Sequence, residues 1–213
     1  MSAYARIVRA AQRGSRMNSA STLRPDPGLW LSTQVTVKRY LELEGVKNAA
    51  EIAKFIQKRF AERYITPLRN VRAGDDNGFL TMGVCCLLIE GLTAFREGWP
   101  TTKGRSEEAF RCFFGREPQF AAFRGLEHDF WKGVRCGILH QGETSCGWRL
   151  NFTDPAKPLL EAAIKRVNCV LFFNETENAL RTYADELVKS PWNSVIWENL
   201  RTKMEQTIKD CVG

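Results

Sequence analysis

The chain is 213 residues long, with 44% hydrophobic and 26% charged residues, close to the averages of soluble globular domains. This length allows one domain with a sizeable core, with or without an appendage. No uninterrupted apolar run approaches the roughly 20 residues that cross a bilayer, and the first residues lack the hydrophobic block of a secretory signal. We therefore expect a cytoplasmic protein without a membrane segment.

The formal net charge of +7 is unevenly distributed along the chain. Residues 1–72 contain 14 Lys and Arg against 5 Asp and Glu, a net charge of +9, whereas residues 73–213 contain 17 against 19, a net charge of −2. A polyanion such as RNA would therefore bind mainly to the first third of the chain. The alternative interpretation is a solvated basic surface that serves solubility.

The cysteines predict neither disulfides nor a metal site. They form no Cys-x-x-Cys pair and only two histidines accompany them, which argues against zinc and against a disulfide framework. Five of the seven lie in apolar stretches, where free cysteine behaves as a small core residue. We expect reduced thiols, no metal and no cofactor. The seven are Cys85, Cys86, Cys112, Cys136, Cys146, Cys169 and Cys211.

Residues 1–27 contain five arginines and several serines, and no acid precedes Asp26. A flexible basic arm, a targeting presequence and a start assigned too far upstream are the three alternatives. Residues 30–45 mix strand-like alternation with a helical stretch, so their type stays open. We treat residues 1–47 as a basic N-terminal extension and residues 48–213 as a helical domain.

Four features organise the first half of that domain. Asn48 is the predicted cap of a helix over residues 49–71, in which apolar residues recur at steps of three and four. Residues 74–78 predict a turn, and residues 79–97 predict the most apolar helix, ended by Gly98. A shorter helix over residues 106–114 follows, and Ser106 begins it.

The second half predicts three more helices and a small β insert. The helices cover residues 126–141, 169–189 with Asn168 as the cap, and 193–211. Residues 148–152 and 164–167 alternate in a way that predicts a β-hairpin. The predicted fold class is therefore all-α, a helical bundle with a small β-hairpin insert.

The most informative segment is residues 129–148, which carries Arg135 and His140 at the end of an apolar helical stretch. A guanidinium keeps its charge and can stabilise negative charge on a phosphate. An imidazole can transfer a proton near neutral pH. These two groups suffice to cleave a phosphodiester in RNA without a metal ion.

An ideal helix does not bring this pair together. With 100° per residue and Phe130 at zero, Arg135 lies at about 140° and His140 at about 280°, on either side of an apolar stripe. The two can share a site only if the helix loosens near Gly137 or Gly142, or if a symmetric partner completes the cleft. The pattern therefore predicts that the active unit is a homodimer.

Structural roles for the same pair stay open at this point. Arg135 could form an ion pair with Glu143 or Glu90. His140 could interact with the dipole at the C-terminal end of its helix.

Further polar residues near the pair are candidates for substrate binding, or belong to a solvated turn. His128, near Arg124, forms a second and more exposed Arg–His pair. The candidate substrate-binding residues are Lys132, Gln141, Glu143 and Thr144.

The string Phe-Trp-Lys-Gly-Val-Arg-Cys-Gly-Ile-Leu-His at residues 130–140 resembles the Arg-x(4–6)-His signature of HEPN domains (higher eukaryotes and prokaryotes nucleotide-binding). The resemblance covers roughly residues 48–189. It implies a four- or five-helix bundle that dimerises with its motif helices facing each other. It also implies that Arg135 and His140 are the catalytic residues of a metal-independent endoribonuclease from a toxin–antitoxin or defence system.

Two functions are expected on this basis. The first is a dimeric HEPN ribonuclease that acts on RNA, together with an antitoxin or another defence partner. The second is an inactive HEPN-like module that dimerises or binds a partner protein. The second is favoured by Cys136, because the residue after the arginine is often polar in this family, typically asparagine.

Overall fold

A computed structural model describes residues 28–70, 77–152, 154 and 156–211. Helices predominate in this part of the chain, and one small three-stranded sheet is inserted late in the sequence. The predicted fold class, all-α with a small β insert, is confirmed at this level. The basic arm predicted at residues 1–27 and most of the turn at residues 74–78 lie outside the described residues.

The first described elements are short helices joined with few breaks. Thr36 and Asn48 cap the first two, each accepting a hydrogen bond from a backbone N–H three residues on, as predicted for Asn48. The stretch whose type the sequence left open is mainly helical. The elements are α1 (Val37–Gly45), α2 (Ala49–Phe60), a π-helical segment (Ala61–Ile65) and α3 (Thr66–Asn70).

Helix α4 (Gly78–Glu97) is the long apolar helix, and Gly98 ends it with a positive φ of 66°, as predicted. Its length and composition would allow it to cross a membrane, although Glu90 interrupts its apolar run, as the sequence showed. However, 67% of its apolar window is buried inside the protein. That burial is typical of the core helix of a soluble fold.

Helix α5 (Ser106–Arg116) and a 3-10 turn (Pro118–Phe123) lead into the motif helix, which we define as residues 127–141. Aromatic packing anchors the motif helix to the core, since the ring of Phe130 stacks 5.4 Å from that of Phe172. The buried phenylalanines of this cluster are Phe110, Phe113, Phe114, Phe120, Phe123, Phe130 and Phe172.

The β insert differs from the predicted hairpin. Strand β1 (Arg149–Asn151) pairs with β3 (Arg166–Asn168) in parallel, and β2 (Leu160–Glu161) pairs with β3 in the antiparallel direction. The chain therefore reverses twice between the two predicted segments, because an additional strand is inserted between them. A left-handed residue at Lys165, with φ of 49°, makes the second reversal.

Helices α8 (Cys169–Lys189) and α9 (Val195–Asp210) complete the bundle. Asn168 caps α8 as predicted. Helix α4 packs against α5, α8 and α9, so it is the central helix of the domain. Tyr40, which the sequence placed in the N-terminal extension, is buried in the same core.

Candidate functional site: an arginine–histidine pair on a widened helix

The motif helix is not a regular α-helix. It consists of α6 (Glu127–Phe130), a π-helical segment (Trp131–Cys136) and α7 (Gly137–Gln141). Because a π turn contains more residues than an α turn, each step through it rotates the chain by less than 100°. The loosening predicted near Gly137 therefore occurs in the segment that immediately precedes this residue.

The segment that follows the motif helix folds back onto it. Gly142 ends the helix with φ of 72°, and the Ser145 N–H donates to the Gly133 carbonyl at 2.7 Å. A Cβ on Gly133 would lie 2.3 Å from Trp148 Cδ1, and a Cβ on Gly137 would lie 2.4 Å from the Glu143 carbonyl oxygen. Both glycines are therefore needed for the close approach of residues 142–148.

Arg135 and His140 lie in contact within one chain. The Arg135 Nη1 atom is 3.3 Å from His140 Nε2, so a neutral imidazole can accept this hydrogen bond. The Arg135 side chain is 18% exposed, and His140 is exposed. The pair thus reaches solvent, and one protomer is enough to bring the two residues together.

Glu90 holds the guanidinium from the inner side. The Nε of Arg135 donates to Glu90 Oε1 at 2.7 Å, and the Glu90 side chain is 10% exposed. Burial alone would lower the pKa of Arg135, but the hydrogen bond and charge of Glu90 raise it above its ordinary value. The ion pair with Glu90 that the sequence left open is therefore present, and the one with Glu143 is not seen in the described residues.

Two further residues complete the support of Arg135, and the sequence did not indicate either. Ser106 Oγ donates to Glu90 Oε1 at 2.8 Å, and Trp131 Nε1 donates to Ser106 Oγ at 3.0 Å. The sequence does single out Glu90 as a candidate site residue, because it is the only charged residue between residues 78 and 95 of the apolar helix α4. Ser106 carried no such signal, since a serine at a helix start usually serves as a cap.

Cys136 and Cys86 lie on the inner side of the same centre. Burial, followed by the charge of Glu90, raises the pKa of the Cys86 thiol. Cys136 is half-buried and in electrostatic contact with Arg135. A thiol at residue 136 is a weaker hydrogen-bond donor and acceptor than the amide that the resemblance implies.

The four candidate substrate-binding residues differ in exposure and in hydrogen bonding. Lys132, Gln141 and Glu143 are exposed, and the structure records no side-chain partner for them among the described residues. Thr144 is half-buried, and its hydroxyl donates to the Trp148 carbonyl at 2.9 Å. Thr144 therefore stabilises the loop, whereas the other three are accessible to a ligand.

The second Arg–His pair considered from the sequence does not form. His128 Nδ1 lies 2.9 Å from Glu107 Oε1, and Arg124 donates to the carbonyls of Phe114 and Gly115. His128 is therefore paired with a carboxylate, while His140 is paired with a guanidinium.

Comparison of the chain with protein-family models, with curated proteins and with solved structures yields no match. Within the described residues there is no group of three or more metal-ligating side chains. Two cavities, one beside Arg96 and one beside Trp30, are not lined by Arg135 or His140.

Proposed function

We propose that this chain is a metal-independent endoribonuclease of the HEPN type that acts on RNA as a homodimer. One observation carries the proposal: the guanidinium of Arg135 and the imidazole of His140 are 3.3 Å apart at a solvent-accessible surface. A pair with these two chemistries can act on a phosphodiester that enters from solvent.

In this mechanism the imidazole of His140 takes the proton of the ribose 2′-hydroxyl. The 2′-oxygen attacks the adjacent phosphorus, and the bond from phosphorus to the 5′-oxygen breaks. The products are a 2′,3′-cyclic phosphate and a 5′-hydroxyl end, with no net consumption of water in this step. Arg135 stabilises the charge that accumulates on the phosphate oxygens, an effect worth about 2.7–4 kcal/mol per donor in comparable sites.

Glu90 is a positioning residue in this scheme. It binds the Nε edge of Arg135, so the guanidinium is directed with its terminal nitrogens toward the surface that carries His140. Lys132, three residues before Arg135 and exposed, adds positive potential for the approaching strand. A phosphate that binds the terminal nitrogens of Arg135 takes over the N–H that His140 Nε2 accepts in the free chain, which frees that nitrogen to act as the base.

A second copy of the chain would supply the group that protonates the leaving 5′-oxygen, namely its own His140. An apolar surface adjoins the site and fits this role. Leu80 and Leu87 are 52% and 46% exposed and share one face of α4, with Leu87 three residues before the buried Glu90. Leu139 of the motif helix is 40% exposed. Two such surfaces packed about a twofold axis would place both His140 residues on one groove.

The alternative function is an inactive HEPN-like module that dimerises or binds a partner protein, such as an antitoxin. A specific observation favours it, because Glu90 already neutralises Arg135 and Cys136 takes the position of a polar amide. In that case the ion pair is structural, and the leucine surface alone performs the function.

The deciding experiment is cleavage of single-stranded RNA in EDTA, compared between the wild type, His140→Ala and the matched control His128→Ala. We expect His140→Ala to slow cleavage by about 10²–10⁴-fold, and His128→Ala to leave it within about twofold. The wild type should leave cyclic phosphate ends and sediment as a dimer. Absence of cleavage by the wild type, or full cleavage by His140→Ala, would reject the ribonuclease and favour the binding module.

A further inference from the structure

The motif helix is not the only widened helix in the described chain. The π-helical segment at Ala61–Ile65 carries Glu62 and Arg63, which neither the core nor the Arg135–His140 site uses. Such segments occur frequently at functional sites. The surroundings of this second segment therefore call for a functional explanation.

The second π segment fixes the loop that precedes α1. Arg59 and Arg63 both donate to the Leu31 carbonyl, Arg63 at 3.0 Å. The carboxylate of Glu62 accepts from the backbone N–H of Thr33 at 2.8 Å and from its hydroxyl at 2.5 Å. The loop is thus held in one conformation by at least four hydrogen bonds, so a ligand would meet a preformed surface.

A cavity of about 530 Å³ lies between this loop and the π segment, and it opens to solvent. The cavity is shallow and open on its outer side, so a bound ligand keeps part of its surface in solvent. Trp30 forms one wall, with 64% of the residue exposed, and its indole has no hydrogen-bond partner in the described part of the chain. The lining residues are Trp30, Ser32, Thr33, Glu62 and Arg63.

The local charge balance at the cavity is positive, because two guanidinium groups, Arg59 and Arg63, converge on the Leu31 carbonyl beside the single carboxylate of Glu62. Both oxygens of Glu62 are occupied by Thr33, whereas Arg63 forms no ion pair with any residue that the structure describes. Loss of solvent alone would raise the pKa of Glu62, but the hydrogen bonds from Thr33 lower it below its ordinary value. The described residues around it, 28–70, contain 8 Lys and Arg against 4 Asp and Glu, a net charge of +4.

We propose that this cavity binds a nucleotide, either free or within a single strand of RNA, by stacking its base on Trp30 and pairing its phosphate with Arg63. An exposed indole is a favoured platform for a base. A guanidinium that keeps unpaired N–H groups is a favoured partner for a phosphate. The site does not depend on Arg135 or His140, so it can exist whether or not the chain cleaves RNA.

The test is calorimetric titration of the full chain with AMP and, separately, with a short oligouridylate, in the His140→Ala background so that no RNA is cut. We expect Trp30→Ala and Arg63→Gln each to weaken binding by about tenfold or more. Trp30→Phe should retain most of the affinity because a ring remains for stacking. Arg39→Gln is the matched control, since it removes a charge from the same third of the chain but from an exposed pair with Glu42.

Each outcome of this titration either supports or overturns the proposed nucleotide site. Binding of AMP supports a nucleotide site, and binding of the oligonucleotide alone supports a strand site of the same chemistry. If Arg39→Gln and Arg63→Gln lose the same affinity, binding reflects only general attraction between the basic chain and a polyanion, and the proposal is overturned. It is also overturned if Trp30→Ala binds as tightly as the parent protein, or if neither AMP nor the oligouridylate binds. Trp30→Ala removes none of the hydrogen bonds that hold the loop, so its result does not depend on refolding. If the titration overturns this nucleotide site, the result of the RNA cleavage assay with His140→Ala still stands.

Discussion

Helix α4 contributes to two buried arginine–glutamate centres that differ in one respect. At one, Arg96 is 7% exposed and contacts Glu117, Glu186 and the ring of Tyr183, whose centroid lies 4.9 Å away, and the cavity beside it has no histidine in its lining. At the other, Glu90 holds Arg135, whose outer side meets the exposed His140. The comparison teaches that an ion pair alone does not indicate function. The difference is the histidine, because an imidazole lies on the outer side of Arg135, whereas the outer side of Arg96 meets the carboxylate of Glu186.

The largest effect on stability should come from the Arg96 centre. Arg96→Met keeps the stem of the side chain but leaves Glu117, whose side chain is 5% exposed, without its buried countercharge. We expect a loss of about 3–5 kcal/mol in the free energy of unfolding, measured by urea denaturation. Arg116→Met is the control, because its pair with Glu97 is 41% and 28% exposed and should contribute less than about 1 kcal/mol.

The same variant should show a characteristic pH dependence. Burial raises the pKa of Glu117 even with Arg96 present. A raised pKa in the folded state means that the folded chain takes up a proton at a pH where the unfolded chain does not, so the ionised carboxylate destabilises the fold at neutral pH. The deficit of Arg96→Met should therefore be largest near pH 7 and shrink as the pH falls toward the ordinary value of 4.5. A deficit independent of pH would show that lost packing, not lost charge, is the cause.

A smaller loss in the free energy of unfolding is expected beside Arg135, where residues 142–148 pack closely against the motif helix. In Gly133→Ala the new Cβ would lie 2.7 Å from the Ser145 carbonyl oxygen and 2.3 Å from Trp148, so residues 142–148 must move. We expect a destabilisation near the upper end of the 1–3 kcal/mol typical of overpacking, with a concurrent loss of RNA cleavage. Gly115→Ala is the matched helical control, since a Cβ there meets nothing within 4 Å. It should be neutral or stabilising. An equally stable Gly133→Ala would contradict the tight contact.

Sequence patterns predicted the helices well because their signals are local. The caps at Asn48 and Asn168 and the stop at Gly98 each depend on a few neighbouring residues. The parallel pairing of β1 with β3 escaped prediction, because it depends on a strand inserted between the two segments. A predicted hairpin needs only one reversal of the chain.

For the candidate site, the sequence predicted which residues take part but not how they are arranged in space. The sequence identified Arg135 and His140 by type and spacing, but the ideal helix placed them about 140° apart. A loosened helix was one of two predicted ways to bring them together, but the sequence did not select it, because a π-helical segment has no simple sequence signature. Ser106 joins the site through the packing of α5 against the motif helix, which no local pattern encodes.

The last prediction separates the contribution of Arg135 to stability from its contribution to RNA cleavage. Arg135→Met leaves the Glu90 carboxylate, 10% exposed, with Ser106 as its remaining described partner. We expect a destabilisation of about 1–2 kcal/mol, less than at Arg96, because the exposed side of Arg135 admits water to the carboxylate. Adding Glu90→Gln should restore most of that loss, since a neutral amide costs less to bury than an unpaired charge. RNA cleavage should stay lost in the double variant, because the restored stability supplies no guanidinium. The measurements are a double-mutant cycle of unfolding free energies beside cleavage rates of the same four proteins. If stability and cleavage recover together, Arg135 acts only through the fold, and its pair with Glu90 is then a structural pair like the one at Arg96.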